Sequence, residues 1–211
     1  MEFDPQDLAL KDVYKLLTGS VVPRPIGWIS TVSKNGVYNL APYSFANAVS
    51  ADPPTVIFSG GRPNGQNKDT LQNVLDTNEF VFNIVSFPLA EQMNISATTL
   101  PPEVDEFKEA RLTPAPSVKI SAPRVLESPV SFECVLSGTH DISGEKGTGS
   151  LIIFGRIVHM HISDEVLLPD YKVDPEALQA IGRLSGPSYS TTNELFHIQR
   201  PNWSKDVGKV S

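Results

Sequence analysis

The sequence predicts an antiparallel β-barrel with a few peripheral helices. Three observations carry that prediction. Short β-rich segments recur between turn signals, with only short helical stretches between them, which favours a barrel over a doubly wound parallel sheet. Asn35–Gly36 sits between two apolar runs, a strong hairpin signal. Two long β-rich runs, 128–138 and 150–163, flank one glycine-containing loop.

In chain order, QDLALKDVYKLLT (6–18) carries apolar residues near helical spacing, and Gly19 follows where a helix would end. In VVPRPIGWIST, Pro23 and Pro25 flank Arg24 directly before a strand over about 26–33, and pattern alone makes Arg24 a solvated charge. A tight turn at Asn35–Gly36 leads to a second strand from about 37. DPPTVIFSGG (52–61) reads as a turn, a short buried strand and a glycine loop. KDTLQNVLDTN (68–78) reads as a helix with Asp69 or Thr70 near its start, EFVFNIVS (79–86) as a strand and LAEQMNISA (89–97) as a short helix. Pro101, Pro102, Pro114, Pro116, Pro123 and Pro129 break the middle of the chain into loops and short edges. HDISGEKGTG joins the two long strands as a hairpin loop. DPEALQAIGRL (174–184) reads as a helix with Asp174 as N-cap and Pro175 at its first position. NWSKDVGKVS reads as a polar tail.

The 211 residues suit a single domain over 1–211, with a core of about 15–200. A hydrophobic share of 40% supports a core without disulfides, and the lone cysteine, Cys134, reads as part of it. The net charge of −7 argues against nucleic acid and anionic membrane surfaces as partners. With no secretory signal and no apolar run of spanning length, the expectation is a cytoplasmic protein.

Phosphate loops of the Walker type and dinucleotide fingerprints are absent. His159 and His161 would share a strand face and could ligate a metal, but no Cys, Asp or Glu stands at ligand spacing beside them, so no metal site is expected. The run SGGRPNGQNKDTLQN (59–73) is more informative. Arg62 and Lys68 bring positive charge, Ser59 and Thr70 bring hydroxyls, and a helix begins there, so an anion such as phosphate would be favoured. The alternative is a solvated loop with an ordinary helix cap. NLAPYSFANAVSADPP (39–54) offers irregular backbone groups that could read the polar edge of a planar heterocycle, or it is a strand end with turn residues.

Taken in order, GSVVPRPIGWISTVSKNGVYNLAPYSFANAVSADPPTVIFS, KDTLQNVLDTNEFVFNIV, AEQMNISA, VDEF, ESPVSFECVL and GRIVHMHISD resemble the flavin reductase-like family, which includes the flavoredoxins. The resemblance covers about residues 15–200. It implies an FMN-binding split barrel of six antiparallel strands, a homodimer, and FMN more often than FAD. It further implies hydride transfer from NADH or NADPH to the flavin. Reduced flavin or electrons would then pass to an acceptor such as a monooxygenase, an iron complex or another protein. A flavoredoxin-like carrier with tightly bound FMN is the alternative; a haem- or pyridoxal-phosphate-binding split barrel is a further one. By motif, Trp28, Ile29, Ser30 and Thr31, and Ala41, Pro42, Tyr43, Ser44, Phe45 and Asn47, would line the isoalloxazine. Ser59, Lys68 and Thr70, with Arg62 nearby, would hold the phosphate. Asn94 and Ser96 would lie close to the cofactor, and His161 near the nicotinamide as the catalytic candidate. Arg24 would hold the phosphate or ribityl side, or form a structural ion pair. The sequence departs from the family at Ala46, where a second aromatic is common, and in the glycine-rich stretch 60–67.

Overall fold

Seven strands form the main sheet of the computed structural model, which describes residues 1–144 and 148–201. They are β1 (Gly27–Val32), β2 (Tyr38–Tyr43), β3 (Ala46–Ala51), β4 (Pro54–Arg62), β5 (Glu79–Ile84), β6 (Val130–Ile142) and β7 (Gly149–Ile162). Their order is β2-β1-β5-β6-β7-β4-β3, with every pairing antiparallel. That is one strand more than the six implied by the resemblance. β2 and β3 stand at opposite edges of this order, yet only Ser44 and Phe45 join them. Consecutive Cα atoms are about 3.8 Å apart, so the two edges must come within about 11 Å of each other. The sheet therefore curls into a barrel. The ladder stays open: β2 runs alongside β4 without pairing to it, and the Ser59 N–H donates to Phe45 O at 2.8 Å across the join.

The interior is filled from both sides of the curl. Ile29, Tyr43, Val56, Phe58, Phe80, Phe82, Cys134 and Ile153 form the barrel core. Helix α2 (Asp69–Thr77) adds Leu71 and Val74 to it. Each such side chain contributes about 1.5–3 kcal/mol when fully buried. Gly60 makes the helix fit: a Cβ there would stand 2.9 Å from Leu71 Cδ1. A second cluster lies on the outer face, where Trp28, Leu40, Met93, Phe107 and Val125 are covered by the connections after β5. These include α3 (Ala90–Ile95) and α4 (Glu106–Glu109).

Most elements fall where the pattern puts them. Gly36 takes φ 79° in the β1–β2 turn, a conformation easiest for glycine. Three differ. The N-terminal helix, α1 (Leu10–Ser20), starts later than predicted and runs through Gly19. The expected glycine loop at 60–61 is still strand. The helix expected over 174–184 is only α5 (Pro175–Leu178). Asp174 does cap it, accepting from the Glu176 N–H at 2.8 Å, but Gln179 turns left-handed at φ 48°. Ile181 then bonds Val85 O, and Gly182 pairs with Pro25, so sheet pairing takes the chain from the helix. Part of the β6–β7 hairpin loop and all of the polar tail NWSKDVGKVS lie outside the described residues. Among those described, no helix is long and apolar enough to cross a membrane.

Candidate functional site

A cleft of about 760 Å³ opens at the unclosed seam between β2 and β4. One wall is Ala41, Pro42, Tyr43, Ser44 and Phe45; the facing wall includes Ser59 and Gly61. Lys68, Asp69 and Thr70 bring the start of α2 to it, and Ser96 to Leu100 close a third side. The two segments singled out as phosphate-binding (59–73) and ring-reading (39–54) thus meet at one place.

Chemistry at this corner follows from the helix start. Lys68 is the N-cap of α2 and provides no side-chain cap, so the first-turn N–H groups are left for another acceptor. Lys68 is exposed and makes no ion pair among the described residues. The Thr70 side chain is 1% exposed and accepts from Asn39 Nδ2 at 2.8 Å. It also hydrogen-bonds the Tyr43 hydroxyl. Burial pushes that hydroxyl up to about 12, with Asp69 and Glu106 adding to the rise, so Tyr43 stays neutral at physiological pH. Asp69 and Glu106 are the acidic groups on the cleft wall. Burial, and then Glu103, raises the Asp69 carboxyl above its ordinary range. Burial likewise raises Glu106; the backbone N–H groups of Glu106 and Leu40 pull it back, and Asp69 and Asp105 raise it again.

Other sequence candidates lie elsewhere. Trp28, Ile29, Ser30 and Thr31 are fully buried, and none lines the cleft. Their strand is paired on both edges. Ile29 packs inside the barrel and Trp28 outside it, where the indole Nε1–H donates to Ser96 Oγ at 2.9 Å. Ser30 Oγ donates to Pro123 O at 2.5 Å, and Thr31 Oγ1 accepts from Asn73 Nδ2 at 3.0 Å. Ser96 is therefore the link between this strand and the cleft. Asn47 and Asn94 are exposed and stand outside the cleft lining.

Arg24 is 6% exposed, which corrects its reading as a solvated charge. Its guanidinium donates to the carbonyls of Thr18 at 2.5 Å, Val21 at 2.8 Å and Leu184 at 3.0 Å, and to Ser44 Oγ at 3.4 Å. Backbone carbonyls take the place of the expected carboxylate, and Arg24 ties α1 to the C-terminal segment. Arg62 pairs with Asp141 of β6 and is not part of the lining. His161 also lies outside it. Ser150 of β7 lines the cleft, and His161 stands eleven residue steps further along, about 36 Å of strand.

Sequence reasoning missed Asn39, Asp69, Glu106 and the stretch Ala97–Leu100 as cleft residues. Asn39, Asp69, Ala97 and Glu106 all sat inside quoted segments, Glu106 in VDEF, but none was given a binding role; Glu106 reaches the cleft from a separate four-residue helix.

Comparison with known proteins places these features in context. A family model described as "Flavin reductase like domain" matches residues 18–174. An uncharacterized protein of Aquifex aeolicus is 43% identical over 90% of this chain and 94% of its own. The crystal structure of nitrilotriacetate monooxygenase component B from Bacillus cereus superposes with a TM-score of 0.90 at 37% identity, covering 94% of this chain and 98% of that one. The 2-nitrobenzoate 2-nitroreductase of Pseudomonas fluorescens gives 0.87 at 30% identity, covering 99% and 100%.

Proposed function

Because the chain belongs to the flavin reductase-like family, we propose that it binds FMN in the seam cleft and directs hydride from NADH or NADPH onto that flavin. The observation that carries this reading is the corner where Lys68, Ser59 and the first turn of α2 meet on one cleft wall. The donor set fits a phosphate: an exposed ammonium without a carboxylate partner among the described residues, first-turn N–H groups without a side-chain cap, and a hydroxyl on the same cleft. FMN, when bound, supplies the hydride-accepting ring, and the protein's part is binding and orientation. Lys68 and the α2 start hold the phosphate end. Ala41 to Phe45 and Ser96 to Leu100 wall the ring and keep water from its faces. Tyr43, neutral and bonded to Thr70, adds no charge beside the phosphate.

The likeness to a monooxygenase component at 37% identity supports delivery of reduced flavin to a partner monooxygenase. A homodimer is supported by the exposed Leu10, Tyr14 and Leu17 on one face of α1, with Val21, Phe45 and Val49 exposed as well. His161 would reach this cleft only from a second copy, since its own strand carries it away.

Lys68→Ala should weaken FMN binding by about 1.5–3 kcal/mol, roughly ten- to a hundredfold, in a fluorescence titration. Unchanged affinity would remove the phosphate assignment. NADH and NADPH oxidation should rise with added FMN. A yellow protein whose rate ignores added FMN would instead be a flavoredoxin-like electron carrier.

A further inference from the structure

Three potential metal ligands converge on the outer face of the sheet, away from the cleft. Their placement starts with a β-bulge. Along β6 and β7, Ile157 stands opposite Cys134, and the next matched pair is His159 opposite Glu133. One residue, Val158, is inserted. Side chains alternate along a strand, so without this insertion His159 would follow Ile157 toward the barrel interior. With it, His159 and His161 share a face with Glu133. Their ring centroids are 4.8 Å apart, and one ligand atom from each of the three residues lies within 4.8 Å of the others.

Glu133 is already oriented for such a role. Its side chain is 0% exposed. The Val118 N–H donates to Oε1 at 2.7 Å and the Lys119 N–H to Oε2 at 2.6 Å. His161 Nε2 lies 2.6 Å from Oε1. Among the described residues, His161 is the only ion-pair partner of this buried carboxylate, and no Lys or Arg neutralises it. Backbone donors fix the ligand from behind, as outer-shell hydrogen bonds do in metal sites. The two imidazoles are only half-buried, so solvent can reach the open side.

We propose that Glu133, His159 and His161 bind a first-row divalent transition cation, with the remaining coordination positions taken by water. Two imidazole nitrogens and one carboxylate oxygen are a donor set suited to zinc, cobalt, nickel or copper. On binding, His161 would release to solvent the Nε2 proton that now bonds Oε1, retain a proton on Nδ1, and offer the freed Nε2 lone pair to the cation. The cation would neutralise the buried carboxylate without moving it.

The test is a zinc titration of the chelator-treated full chain by calorimetry, repeated with cobalt followed by visible absorption. One equivalent of zinc should bind, and zinc should raise the melting temperature. His159→Ala keeps the His161–Glu133 contact and should fold. It should lose affinity by more than about tenfold and lose the melting shift, as should His161→Ala. Absence of saturable binding to the parent protein would overturn the proposal. So would equal affinity in His159→Ala and the parent, which would place the ion at His140, His197 or another surface group.

Discussion

Two buried glutamates, one lining the cleft and one beside His161, are shifted in opposite directions. Glu106, beside the cleft, is 6% exposed and its carboxyl is raised; Glu133, on the outer face, is 0% exposed and its carboxyl is lowered. Burial pushes both upward, because the charged form loses hydration. At Glu133 the His161 contact and the N–H groups of Val118 and Lys119 outweigh that penalty. At Glu106 the Leu40 N–H donates to Oε2 at 3.2 Å, while Asp69 and Asp105 repel. Depth of burial therefore does not set the charge state here. The balance of donors against neighbouring acids sets the direction of the shift, raising the cleft carboxyl and lowering the outer one.

The largest effect expected from this contrast is at Glu133. Glu133→Ala strands the Val118 and Lys119 N–H groups and His161 together, and should cost about 3–5 kcal/mol in urea unfolding. The folded carboxyl lies below its ordinary value, so its contribution is present above about pH 4.3 and is lost as pH falls through the folded value. The variant's stability should accordingly vary less with pH on acidification than the parent's. A cost under about 1 kcal/mol would mean that the three donors find other acceptors.

Glu106→Gln should behave in the opposite sense. A raised carboxyl stabilises the fold fully below the ordinary value and loses that contribution as pH rises through the folded value. At neutral pH the charge is a cost, and a glutamine carbonyl can still accept from Leu40. Stability at pH 7 should stay within about 1 kcal/mol of the parent, with any change a gain that disappears on acidification. A loss comparable to that at Glu133 would break the comparison.

Legibility of these sites from sequence followed the range of the forces involved. Strands, the Asn35–Gly36 turn and the α2 start are local, and pattern reading found them. Ser59 with Lys68, and Ala41 to Phe45, were each read as binding segments from local composition, and curling of the sheet brought them together. Arg24 misled because its acceptors are the carbonyls of Thr18, Val21 and Leu184, which carry no signature in side-chain identity. Glu133 escaped notice as a companion of His159 because it comes from a different strand, in a register that a single bulge sets. Trp28 to Thr31 were quoted for a motif, but strand pairing on both sides places them in the wall of the barrel.

The smallest effect bears on the cleft side of the contrast. Asp69 adjoins Lys68 at the α2 start, where a flavin phosphate would sit, so its charge opposes the ligand that Lys68 attracts. Its raised carboxyl marks a site where negative charge is already unfavourable. Asp69→Asn should therefore tighten FMN binding modestly at neutral pH, and the gain should shrink on acidification as the parent carboxyl protonates. Added salt should shrink it too, since the group is only partly buried. Weaker binding in Asp69→Asn would show that the carboxylate accepts a bond that shapes the helix start, in which case Lys68 and Asp69 act as one unit rather than as opposed charges.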